Sequence, residues 1–76
     1  MFNNSIREHL CARFYVTPKS GHNFDGVLTQ SDRGYYVFAD VIVHPPEADP
    51  ERVQGELWIE RSNVAYLQRL PADANH

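Results

Sequence analysis

The sequence predicts a mainly β domain: a short N-terminal α-helix followed by a strongly bent five-stranded antiparallel barrel. Three observations carry this. Short blocks of β-forming, mostly alternating residues recur at 11–17, 23–31, 35–43, 55–61 and 63–70. Turn chemistry separates most of them, at Pro18-Lys19-Ser20-Gly21, Ser31-Asp32-Arg33-Gly34 and Arg61-Ser62-Asn63. Finally, Gly26 sits in the middle of the second block, where a glycine marks a bulge or a sharp bend. Consecutive strands with tight turns pair antiparallel, and a bend lets one long strand serve two sheets.

The helix is expected near the start, where Ser5 and Glu8 have the spacing of a capping box and Phe2 and Ile6 offer apolar anchors. It cannot be long, because "CARFYVT" (11–17) changes to a two-residue period. Ala12, Phe14 and Val16 share one side, and Arg13, Tyr15 and Thr17 the other. "NFDGVLTQS" (23–31) is the second strand, and Asp32 is placed to cap the turn after it through local backbone hydrogen bonds. "YYVFADVIV" (35–43) is apolar on both faces except at Asp40. That marks a central strand, or one with its outer face covered by a partner. Asp40 itself can pair with Arg13 or Arg69, or face solvent. "HPPEADPERVQ" (44–54) carries three prolines and reads as a loop. The strands 55–61 and 63–70 complete a single domain over residues 1–70, and 71–76 reads as a disordered tail.

With 76 residues, a lone core is marginal and usually needs a disulfide, a metal or oligomerisation. Cys11 is the only cysteine, so no intrachain disulfide forms. The histidines (His9, His22, His44 and His76) are scattered with no ligand spacing, so no metal or cofactor is expected. Oligomerisation is what remains. A formal net charge of -3 counts against a broad phosphate-binding surface, though not against a local one. No apolar run approaches the roughly 20 residues that cross a bilayer, and the N-terminus lacks a basic end followed by an apolar stretch. The expectation is a soluble cytoplasmic protein with no membrane partner. No nucleophile motif such as G-x-S-x-G appears, so no catalytic residue is assigned and no enzyme is expected.

The order of elements and the residues at their junctions resemble the Sm-like family, including its Hfq branch. Phe24-Asp25-Gly26-Val27-Leu28 with Asp32 is similar to the first signature of that family. Ile59-Glu60-Arg61-Ser62-Asn63-Val64-Ala65-Tyr66-Leu67 resembles its other signature. The similarity runs over residues 5 to 70. It implies an SH3-like barrel that assembles into a ring of six or seven copies and binds single-stranded RNA at the pore. The RNA contacts it implies are Tyr35, Tyr36, Arg61 and Asn63, with Asp32 and Gly26 as supporting turn residues. Tyr36 stands where an amide is usual and Ser62 where glycine is usual. A tyrosine stacks on any base but lacks the paired donor and acceptor of an amide, so uridine selectivity is not implied.

Each of these residues also has a plainer role. Ser62 and Asn63 serve turn positions in any β protein, and Tyr35 and Tyr36 suit a strand by propensity. Alternation sends those two tyrosines to opposite faces, so at most one meets a ligand directly. Trp58 shares a face with Glu56 and Glu60; with Tyr66 it is expected at a subunit contact, or else it packs under the 44–54 loop. The prolines of that loop keep it extended, which suits docking to a protein partner. An alternative therefore keeps the barrel and the ring but not the RNA: a protein-interaction or assembly module of the kind a phage genome encodes.

Overall fold

The computed structural model describes residues 10–72. The expected N-terminal helix, and all of the expected tail 71–76 except Pro71 and Ala72, lie outside the described residues. Six strands follow one another: β1 (Arg13–Pro18), β2 (Asn23–Ser31), β3 (Tyr35–His44), β4 (Glu51–Val53), β5 (Leu57–Glu60) and β6 (Val64–Arg69). All pairings are antiparallel, in the order β4-β3-β2-β1-β6, with β5 also on β3. The first three strands fall where alternation and turn residues put them.

The strand count differs from the sequence expectation, six against five. Glu51–Val53, expected in the loop 44–54, pairs with Val41, Ile42 and Val43, leaving only residues 45–50 between β3 and β4. All three prolines stay outside the ladder, so none deprives it of a donor. The physical reason is that β3 runs on to His44, and its far half needs a partner for its backbone groups. β3 thus carries β5 along Tyr35–Phe38 and β4 along Val41–Val43. Between those two stretches lies Asp40, in the left-handed region at φ 53.

The bend forms where β2 faces that kink. Pairing slips between Asp25 and Val27, so Gly26 alone stands against two residues of β3, Asp40 and Val41. A Cβ on Gly26 would lie 2.9 Å from Val41 Cγ2, 3.2 Å from the Ala39 carbonyl oxygen and 3.3 Å from Phe38 Cβ. Only glycine lets the strands approach so closely without displacing one of them.

Folding the sheet this way buries Phe14, Val16, Phe24, Leu28, Tyr36, Phe38, Val41 and Ile59 in one cluster. Phe24 and Phe38 meet edge to face with centroids 5.4 Å apart. Outside the bend, charge is paired rather than buried alone. Arg13, only 8% exposed, bonds to the Asp25 and Asp40 carboxylates, Arg52 pairs with Asp40, and His44 Nε2 lies 2.5 Å from Asp25 Oδ2. Of the partners expected for Asp40, Arg13 is in place, joined by Arg52. These contacts staple β1, β2, β3 and β4 together across the kink.

Candidate nucleic-acid interface

The turn after β2 is built by Asp32. Its Oδ1 accepts from the backbone N–H groups of Gly34 at 3.0 Å and Tyr35 at 2.9 Å, and its own N–H donates to the Tyr35 carbonyl at 3.0 Å. Those donors hold the carboxyl below the ordinary value of 3.8, the Tyr35 bond most, then Gly34, with the nearby Arg61 charge adding to them. The capping role expected for Asp32 is the one observed.

The turn between β5 and β6 is a single 3-10 turn, Arg61–Asn63. Arg61 grips the Asp32 turn twice. Its backbone N–H donates to the Gly34 carbonyl at 2.9 Å, and Nη1 donates to the Asp32 carbonyl at 2.6 Å. The guanidinium also lies over the Tyr36 ring, with Cζ 4.9 Å from the centroid. Tyr36 is buried beneath it, so one cation is held on an aromatic floor while Arg61 itself stays exposed.

The four residues expected at the RNA site do not all converge. Tyr36 and Arg61 come together with Asp32. Tyr35 points to the opposite face of β3, is 40% exposed, and meets Trp58 with centroids 6.0 Å apart. Asn63 is bound to the β1–β2 turn: Oδ1 accepts from the Ser20 N–H at 3.1 Å, and Nδ2 donates to the Ser20 carbonyl at 3.2 Å. The Asn63 carbonyl also accepts from the Lys19 N–H at 2.7 Å. Gly26 supports the bend rather than the Asp32 turn. Ser20 carries no sequence signal for its part in this tie, since nothing local links residues 43 positions apart.

Trp58 and Tyr66 are the most exposed large apolar side chains described, at 57% and 72%. They stand on β5 and β6, each of which is paired along one edge only among the described residues. Trp58 is not under the 45–50 loop; its neighbours are Tyr35 and the Glu56 carboxylate, which accepts from Nε1 at 3.1 Å. Among the described residues no group of three or more His, Cys, Asp or Glu side chains is placed to hold a metal ion.

No protein-family model and no curated protein matches the chain. A solved structure does: the crystal structure of the P. aerophilum SmAP1 heptamer. The match covers 92% of this chain and 93% of that one at a TM-score of 0.78, with 14% sequence identity. The bent antiparallel sheet described above is the Sm-like fold. The fold resemblance carried by Gly26, Asp32 and the Arg61 turn is thus met in three dimensions.

Proposed function

We propose that the protein is a non-catalytic, ring-forming Sm-like protein that binds single-stranded RNA at the pore of its ring. The observation that carries this is the Arg61 guanidinium, held over Tyr36 and anchored to the Asp32 carbonyl. A planar cation already fixed on an aromatic ring loses little freedom when a base stacks on it or a phosphate approaches it.

Two observations support the ring. β5 and β6 present unpaired edges, and edge-to-edge addition of identical subunits satisfies both at once. The similar SmAP1 structure is a heptamer. A ring of six or seven copies multiplies one feeble contact per subunit through effective concentration.

The experiment joins mass determination in solution with titration by U-rich and A-rich single-stranded RNA at low and moderate salt. A ring with an RNA affinity that falls with salt, and falls further in Arg61→Ala, supports the reading. A monomer at micromolar concentration removes the ring, and RNA binding indifferent to Arg61→Ala removes the pore site.

The alternative, an assembly module that keeps the ring without the RNA, is favoured by the net charge of -3. It predicts an intact ring that ignores RNA even at low salt.

A further inference from the structure

Tyr35 and Trp58 form an exposed aromatic face that the pore reading leaves unused. In the ladder between β3 and β5, Trp58 stands directly opposite Val37, and Tyr35 opposite Glu60. These four side chains therefore share one face. Val37 is nearly fully buried at its base, while the two rings stand above it at an interplanar angle of 61°. Glu56 sits at one end, fixed by the indole N–H, and the exposed Glu60 at the other. Glu60 has no ion-pair partner among the described residues.

The chemistry of this face is that of a cation receptor. Aromatic faces attract a guanidinium or ammonium through their quadrupole, and carboxylates on two sides raise that attraction while repelling phosphate. Arg61, the cation adjacent in sequence, is turned away to Tyr36 and the Asp32 turn. A guanidinium suits the site better than an ammonium, because it stacks flat on an indole and still offers N–H donors to a carboxylate.

We propose that Tyr35, Trp58, Glu56 and Glu60 form a docking site for an arginine side chain of a partner peptide. The site does not rest on the RNA reading or on ring closure. β5 presents its open backbone edge in the plane of the sheet, whereas alternation points Trp58 out of that plane.

Trp58 is the only tryptophan, so its emission reports on this face alone. The test titrates the full chain with a short oligo-arginine peptide at low salt, following Trp58 emission while the assembly state is monitored by light scattering. The expected result is a saturable emission change. Its affinity drops about fivefold or more in Tyr35→Ala and in Glu56→Gln/Glu60→Gln. Glu47→Gln/Asp49→Asn, which removes the same charge from the 45–50 loop, leaves it within about twofold. Because Tyr35→Ala also disturbs packing, the glutamine pair decides the matter, with circular dichroism showing that it is folded.

Four results overturn the proposal. One is no emission change with the peptide. Another is an equal loss in the loop variant, which would mean general attraction to an acidic protein. A third is an emission change produced by single-stranded RNA instead of the peptide. The last is a change that follows protein concentration alone, which would mark the face as a contact between copies.

Discussion

Both ends of the Asn63 carboxamide meet the backbone of one residue, Ser20. The pairing ties the β5–β6 turn to the β1–β2 turn, two loops otherwise joined by the single bond from Lys19 to the Asn63 carbonyl. Asn63→Ala should therefore act on stability, lowering it by about 1–2 kcal/mol through the two lost bonds. RNA affinity should stay within about twofold of the parent if Arg61 alone carries the contact. Urea unfolding and RNA titration of the same sample check both halves.

Gly26 has no room for a side chain. Gly26→Ala places a methyl 2.9 Å from Val41 Cγ2 and close to the Ala39 carbonyl, so β2 and β3 must separate. Overpacking of this kind should cost about 1–3 kcal/mol. A lower midpoint in urea at unchanged slope is the expected signature, since a changed slope would mean a different native compactness.

Arg13 lies nearly buried between Asp25 and Asp40. Arg13→Ala leaves the partly buried Asp25 carboxylate without its guanidinium and should cost about 3 kcal/mol. The double change Arg13→Met with Asp25→Leu removes both charges and should recover most of that loss. Thermal unfolding of the two variants beside the parent distinguishes a lost charge pair from lost packing.

Acid should weaken the Asp32 turn in a defined direction. The folded carboxyl titrates below its ordinary value of 3.8, chiefly because the Tyr35 and Gly34 N–H groups bond to it. Its charge therefore contributes stability that is fully present above that ordinary value and is lost as pH falls through the lower, folded one. Asp32→Asn keeps an acceptor but has no charge, so the parent's advantage over it should be constant from pH 7 to about 5 and shrink below about 3.8. Equilibrium unfolding of both proteins across that range reads the difference. An advantage that grows on acidification would contradict the assignment.

Much of the architecture is legible in the sequence because it rests on local signals. Alternation places Phe14, Val16, Phe24 and Leu28 inside, and Gly26 announces the bend. β4 is not legible: Glu51, Arg52 and Val53 form too short a run among prolines to register, and they are strand only because β3 extends beside them. At the site, Asp32 and Arg61 are readable from turn chemistry. The separation of Tyr35 from Tyr36 follows from alternation alone, but which of them lies under Arg61 does not. Asn63 is legible as a turn residue and illegible as a tie to Ser20, a contact only the folded sheet creates.

β1 and β6 are neighbours in the sheet, with Phe14 opposite Arg69 and the Leu70 N–H bonded to the Arg13 carbonyl. The first and last strands of the sheet therefore lie side by side. Covalently joining residues near 12 and 71 and reopening the backbone between Pro45 and Pro50 would keep every ladder while reversing the order in which the two halves are synthesised. Such a circular permutant turns the β3–β4 tip into a pair of free ends, a site where a cargo domain can be attached.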